Sequence, residues 1–157
     1  MRILAIDPGN METGYAILQL PEFQLIEFGK TENNALLGRF KAPLNVDAVA
    51  IEMVASYGMA VGREVFETCV WIGRFTQALQ GENINYIYRR EEKLALCHDS
   101  KAKDSNIRQA LIDRYAKHDF KNGKGVKANP DVFYGVSKDV WQAIAVGVTH
   151  FEKQQRA

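Results

Sequence analysis

The sequence has few cysteines and no long apolar run, and each absence excludes a class of protein. Cys69 and Cys97 are its only cysteines. Two cysteines are too few to stabilise a small secreted protein through disulfide bonds, and their spacing matches no metal-binding motif. We therefore expect a reducing compartment. No apolar run reaches the roughly 20 residues that a membrane span needs. The stretch from Met1 to Ile6 is too short for a signal peptide, and Asp7 interrupts it. We therefore expect a cytoplasmic protein with no membrane partner.

The composition is that of a globular protein with an uneven distribution of charge. The chain has 157 residues, 46% hydrophobic and 25% charged, so we expect residues 1–157 to form a single domain with a substantial core. Residues 1–88 carry six basic and ten acidic side chains, whereas residues 89–127 carry eleven basic and six acidic ones. This pattern is typical of carboxylates that hold metal ions near a phosphate-binding surface, although an ordinary solvated face also produces it.

Hydrophobic periodicity predicts an α/β fold. Apolar patterning predicts five strands, over residues 2–7, 13–20, 23–29, 46–51 and 84–88. Helical spacing predicts helices, over residues 32–42, 59–80, 103–116 and 137–155. The lysine-rich and glycine-containing stretch 117–135 is predicted to be a flexible basic loop. A meander followed by strand–helix alternation gives a mixed five-stranded sheet flanked by helices, which is the order of the ribonuclease H-like architecture.

Acidic residues stand at the ends of two buried strands. Asp7 ends the first strand, Glu52 ends the fourth, and Asp139 opens the last helix. Ligands of such sheets bind at the carboxyl ends of strands, so Asp7 and Glu52 lie side by side if their strands are parallel neighbours. Like charges brought together are costly unless a cation neutralises them, and Mg²⁺ prefers such oxygen ligands. Either residue alone fits a turn cap or a solvent-facing position; the pair favours a site where two ions about 4 Å apart hydrolyse a phosphodiester.

Several sequence blocks carry a resemblance to a known family. The residues Ile3–Gly9 followed by Thr13–Ile17 resemble the opening of the RuvC family of Holliday-junction resolvases. The blocks Ala50–Glu52 and Ser137–His150 are similar to its later acidic motifs, and Lys101–Leu111 resembles the smaller, phage-encoded branch found in lactococcal phages. The resemblance implies a homodimeric, Mg²⁺-dependent endodeoxyribonuclease that resolves Holliday junctions and other branched DNA by symmetric nicking, in the host cytoplasm if a bacteriophage encodes it.

The resemblance also implies which side chains hold the metal. Asp7 would bridge two Mg²⁺ ions, Glu52 would bind one and Asp139 the other, and we expect Mn²⁺ to substitute for Mg²⁺. The family's last helix usually offers two metal-binding positions three residues apart, and the second position here is Gln142. Its amide oxygen lacks the charge of a carboxylate. Either Gln142 is a weak or water-mediated ligand, or Asp139 is the only metal ligand that this helix supplies.

Candidate DNA contacts are basic and aromatic side chains. Seven basic residues could steer or hold the DNA backbone, although each alone is also typical of a protein surface: Arg89, Arg90, Lys101, Lys103, Lys121, Lys124 and Lys127. Tyr57 follows the Glu52 strand. An aromatic residue in this region of the family stacks near the crossover, whereas the spacing from Glu52 equally fits a packing role.

The helix predicted over 59–80 is more apolar than one buried face requires. Phe66, Val70, Trp71 and Phe75 lie on more than one of its faces. The excess predicts a subunit interface, unless the helix is fully buried within the domain.

Two other functions stay open. An actin-like ATPase or sugar kinase shares the strand–turn–strand opening, but these enzymes need two such domains around a nucleotide cleft and 157 residues supply one. A non-catalytic branched-DNA-binding dimer is the other alternative, in which Gln142 marks lost chemistry. Such a protein would bind junctions without Mg²⁺-dependent cleavage.

Overall fold

A computed structural model describes residues 1–157 and contains a single five-stranded sheet beside one small hairpin. The sheet strands are β1 (Arg2–Asp7), β2 (Glu12–Gln19), β3 (Gln24–Glu32), β4 (Ala48–Met53) and β5 (Ile84–Tyr88). Their spatial order is β3-β2-β1-β4-β5. The pairs β1–β2 and β2–β3 are antiparallel, whereas β1–β4 and β4–β5 are parallel. The predicted mixed sheet is therefore confirmed, and its first and fourth strands are parallel neighbours, which is the condition under which Asp7 and Glu52 lie side by side.

Helices cover both faces of this sheet. They are α1 (Asn33–Arg39), α2 (Arg63–Ala78), α3 (Arg89–Cys97), α4 (Asp104–Tyr115) and α5 (Lys138–Arg156). Along β1, Leu4 and Ile6 belong to the apolar cluster on the α1–α2 side, while Ile3 and Ala5 belong to the cluster on the α3–α4–α5 side. Because β1 is covered on both faces, its sequence is a continuous apolar run rather than an alternating one. None of the five helices combines the length and hydrophobicity of a membrane-spanning segment.

Helix α5 lies unusually close to the sheet. A Cβ built on Gly147 would lie 3.0 Å from the Ala5 Cβ and 3.1 Å from the Leu18 Cδ1, so glycine permits this approach. The helix thereby packs across β1 and β2 and carries Asp139, in its first turn, to the end of β1 that bears Asp7.

Two elements differ from what the sequence predicts. Helix α3 was not predicted. The stretch 117–135 is an ordered turn with strands β6 (Gly125–Val126) and β7 (Asn129–Pro130), because the Asp131 carboxylate accepts four backbone N–H bonds of 2.7–2.9 Å from Lys117, His118, Asp119 and Val132. The alternative that helix α2 is fully buried is excluded, because Phe66 and Val70 are 61% and 62% exposed.

Candidate active site

Asp7 and Glu52 meet at the carboxyl edge of the sheet, as the sequence predicts. The parallel register pairs Ile6 with Ile51, so the next residue of each strand projects from the same edge. Burial raises the pKa of the Asp7 carboxyl well above its ordinary value. The neighbouring Glu52 carboxyl raises it further, Asp139 adds a smaller effect, and the Arg89 guanidinium opposes them. These carboxylates are therefore close enough to repel one another strongly.

The turn that follows Asp7 is held by a buried polar network. The Thr13 hydroxyl donates to Asn33 Oδ1 at 2.6 Å, and Asn33 Nδ2 donates to the Gly9 carbonyl at 2.9 Å. The Gly9 N–H in turn donates to Thr13 Oγ1 at 3.2 Å. Thr13 and Asn33 are fully buried, so this network ties the turn to the start of α1 and fixes the chain next to Asp7.

Asp139 lies over a row of residues that crosses three strands. The antiparallel register pairs Gly14 with Asp7 on one side and with Lys30 on the other. The backbone and Cβ of Asp139 lie against Gly14, where no side chain obstructs them. Lys30 Nζ lies 2.5 Å from Asp139 Oδ2 in a partly exposed ion pair. The third acidic residue therefore reaches the site and is already paired with a lysine that the sequence did not single out.

Glu92 is a fourth acidic residue of the site, and it was missed. It lies on α3 and is fully buried together with Ala95 and Leu96 on the same face of that helix. Burial raises the pKa of the Glu92 carboxyl far above its ordinary value, and the nearby Glu52 carboxyl raises it further. The helical spacing of Glu92 to Ala95 and Leu96 was the only available signal, and a glutamate normally indicates the solvent face of a helix.

Arg89 is the central cation of the site. Its Nη1 lies 3.5 Å from both Glu52 Oε1 and Glu92 Oε1 and donates a hydrogen bond to Gln142 Oε1. Its Nη2 pairs with Asp104 at the start of α4. The amide oxygen of Gln142, which was expected to reach a metal ion, is therefore engaged by an arginine. Arg89 was predicted to contact DNA and instead makes most of its contacts inside the acidic cluster.

The expected ligands are not already arranged as a metal-binding site. No three His, Cys, Asp or Glu side chains converge in an arrangement that would hold an ion as they stand. Two carboxylate oxygens of the site nevertheless lack hydrogen-bond partners although they are buried, Glu52 Oε1 and Glu92 Oε2. Unpartnered buried carboxylate oxygens are rare in proteins, and they indicate a site whose charge is incompletely balanced.

A basic and aromatic groove adjoins the acidic cluster through Arg89. It has a volume of about 350 Å³ and is lined by Tyr57, Arg89, Arg90, Lys93 and Ser100. Three of the predicted DNA contacts thus come together in one place. The Tyr57 side chain is 60% exposed and its backbone has a φ of 50°, so it is not a packing residue.

A second groove lies on the Gln142 side of the cluster. A cavity of about 240 Å³ contains Gln142, Lys138 and Arg108. It shares Arg108 and Trp141 with a neighbouring cavity of about 410 Å³ that is also lined by Lys121 and Lys124. Three other predicted DNA contacts are exposed but line none of these cavities: Lys101, Lys103 and Lys127.

Comparison with known proteins identifies the fold. No model of a known protein family matches the chain, and no curated protein matches it in sequence. The structure of Thermus thermophilus RuvC in complex with a Holliday junction substrate matches with a TM-score of 0.71 and 14% identity, over 100% of this chain and 97% of that chain. A second structure of RuvC from that organism gives 0.68 and 16%, over 99% and 96%. A fowlpox virus resolvase bound to Holliday junction DNA gives 0.44 and 14%, over 96% and 99%.

The two RuvC structures confirm the ribonuclease H-like fold class. At identities this low the likeness concerns the path of the chain, so the function has to be argued from the site itself.

Proposed function

We propose that the protein is a metal-dependent endodeoxyribonuclease that resolves Holliday junctions and other branched DNA. The observation that carries the proposal is the convergence of Asp7, Glu52 and the fully buried Glu92 at the carboxyl edge of the sheet, where the Glu52 side chain is only 18% exposed. Carboxylates crowded together away from solvent are costly without cations, and Arg89 alone does not balance them. The shared fold supports the same function, since one of the similar RuvC structures contains a junction substrate.

The donor set of the site fits a hard divalent cation. Its oxygens come from carboxylates, and the buried Glu52 Oε1 has no hydrogen bond, only the Arg89 guanidinium at 3.5 Å. Asp7, Glu52 and Asp139 would hold two Mg²⁺ ions, or Mn²⁺ in their place, with Gln142 as a weaker candidate. Bound divalent cations supply an activated water and stabilise the leaving oxygen of a phosphodiester.

The chain's own side chains would position the DNA around this cluster. Tyr57 presents an exposed ring for stacking on an unpaired base, and Arg90 lies in the same groove. Lys124, in the second groove, together with Lys101, Lys103 and Lys127 would contact phosphates. Lys30 would release Asp139 when a cation binds, because one carboxylate cannot be fully paired with both.

We infer that two copies associate through helix α2. Its inner face packs on the sheet through Ile72 and Phe75, while Phe66 and Val70 project outward and stay exposed. A two-fold dimer would present two sites to a two-fold junction. Sedimentation velocity should show dimers for the wild type and monomers for Phe66→Asp. Wild-type monomers at assay concentrations would remove the symmetric-nicking proposal.

The non-catalytic alternative draws support from one observation. Arg89 and Lys30 already pair with the acidic residues, which are not already arranged as a metal-binding site. A protein that only binds branched DNA would keep these ion pairs permanently.

Junction cleavage separates the two functions. Labelled four-way junction, flap and duplex DNA are incubated with the protein in Mg²⁺ or in a chelator. We expect cleavage of the branched substrates only with the metal. Tight junction binding without Mg²⁺-dependent cleavage would establish the alternative, and cleavage that persists in the chelator would refute the metal-dependent chemistry.

A further inference from the structure

Glu92 is placed beside Glu52 by the junction of β5 and α3. The parallel register of β4 and β5 pairs Glu52 with Ile87 and Met53 with Tyr88. Helix α3 begins at the next residue, so its first turns start at the same edge of the sheet as the acidic cluster. Glu92 then lies on the inward face of α3, with a fully buried side chain.

The two oxygens of Glu92 are in different situations. Oε1 accepts a hydrogen bond of 3.5 Å from Arg89 Nη1. Oε2 is buried and has no hydrogen-bond partner. Arg89 is shared among Glu92, Glu52, Gln142 and Asp104, so it cannot satisfy the second oxygen of Glu92 as well. Oε2 therefore receives no N–H donor from the chain, and only a shared proton or a cation can bridge it to the neighbouring Glu52 carboxyl.

A structural role does not explain why this residue is acidic. Glu91, not Glu92, accepts the Tyr88 N–H bond of 2.7 Å that begins α3, and Glu91 also pairs with Lys153. Glu92 makes no backbone contact of this kind. An apolar side chain would fill a fully buried position at a lower cost in free energy than a carboxylate that has a hydrogen bond to only one of its oxygens. The charge at this position thus needs another explanation.

We propose that Glu92 is a ligand of the divalent cation, and that it binds the ion through Oε2 beside Asp7 and Glu52. This inference rests on the proposed function. It assigns the ligand position beside Asp7 and Glu52 to Glu92 on α3. Gln142 does not take this position, because its amide oxygen accepts a hydrogen bond from Arg89. Arg89 then acts as a positioning residue that orients Glu52 and Glu92 through one oxygen of each.

Metal titration by calorimetry tests the assignment without any DNA. Mn²⁺ and Mg²⁺ are titrated into the wild type, Glu92→Gln, Asp7→Asn and the control Glu91→Gln, whose amide still accepts the Tyr88 N–H. We expect Glu92→Gln to weaken Mn²⁺ binding at least tenfold and Glu91→Gln to leave it unchanged. The metal-free Glu92→Gln protein should unfold at the same or a higher temperature than the wild type, because an unbalanced buried carboxylate has been removed.

The outcomes separate this inference from the proposed function. If Glu92→Gln binds Mn²⁺ like the wild type and unfolds at a lower temperature, Glu92 is a structural partner of Arg89 and the assignment is wrong. If the wild type itself binds no metal, the proposed function fails first. Glu92→Leu is a second variant, for which we expect a metal-free protein at least as stable as the wild type and the same loss of metal binding.

Discussion

Gly14 and Asp139 are in direct contact, and the contact exists because Gly14 has no side chain. A Cβ on Gly14 would lie 2.5 Å from the Asp139 carbonyl oxygen and 2.8 Å from its carbonyl carbon. Gly14 is also the strand neighbour of Asp7 and of Lys30. The sheet thus accepts the first turn of α5 at the one place that brings Asp139 to Asp7.

Replacing Gly14 with alanine should displace Asp139 and impair cleavage. The added methyl group overlaps the backbone of α5, so the helix must shift, and overpacking of this kind costs about 1–3 kcal/mol. We expect Gly14→Ala to fold, to lose stability by that amount in chemical denaturation, and to lose most of its junction cleavage.

Gly38→Ala is the matched control for this variant. Gly38 lies within α1, and a Cβ there would meet nothing within 4 Å. Alanine in a helix interior stabilises by up to about 1 kcal/mol relative to glycine. We expect full cleavage and slightly higher stability. A Gly14→Ala protein with wild-type cleavage would mean that the position of Asp139 is not critical.

Removing the charge of Lys30 should strengthen metal binding. Lys30 competes with a cation for Asp139, and an ion pair this exposed holds the carboxylate only weakly. We expect Lys30→Met to bind Mn²⁺ about two- to fivefold more tightly in a calorimetric titration. Lys41→Met, two residues beyond the end of α1, should have no effect. Weaker binding by Lys30→Met would show that the lysine orients Asp139 rather than competing for it.

Gln142→Asp should keep or raise the cleavage activity. The aspartate adds a carboxylate next to Arg89 and to the acidic cluster, which increases the attraction for a divalent cation. The measurement is the rate of junction cleavage as a function of Mg²⁺ concentration, and we expect half-maximal rate at an equal or lower concentration. A complete loss would mean that the neutral amide has a specific role in holding Arg89.

Tyr57 should contribute to junction binding through its ring. Stacking of a base on an aromatic side chain contributes about 1–3 kcal/mol, so Tyr57→Ala should weaken junction affinity by that amount in a gel-shift titration. Tyr57→Phe keeps the ring and should bind like the wild type. Equal affinity of the alanine variant would reduce Tyr57 to an exposed loop residue.

The parts of this fold that the sequence predicts are those with strong local periodicity. The five sheet strands and helices α2, α4 and α5 follow from apolar spacing, and Asp7 and Glu52 stand out because each ends an apolar strand. Helix α3 was missed because its buried face contains a glutamate, which breaks the apolar pattern at the position that matters. A pattern that assumes charged residues face water cannot detect a buried carboxylate.

The arginine and lysine of the site could not be predicted for a different reason. Arg89 meets Gln142, a residue 53 positions later in the chain, and Lys30 meets Asp139 across the first three strands. Both contacts depend on the sheet order and on where α5 crosses it. Charge counting placed Arg89 on a DNA-binding surface, whereas the fold turns most of its contacts toward the carboxylates.

The most direct test of the whole account compares the wild type with Asp7→Asn on one labelled four-way junction in Mg²⁺. Asparagine has nearly the same volume as aspartate, so the variant removes only the carboxylate of Asp7 at the end of β1. We predict that the variant binds the junction with unchanged affinity and does not cut it, while the wild type cuts it. Equal cleavage by the two proteins would contradict the claim that these carboxylates carry the chemistry.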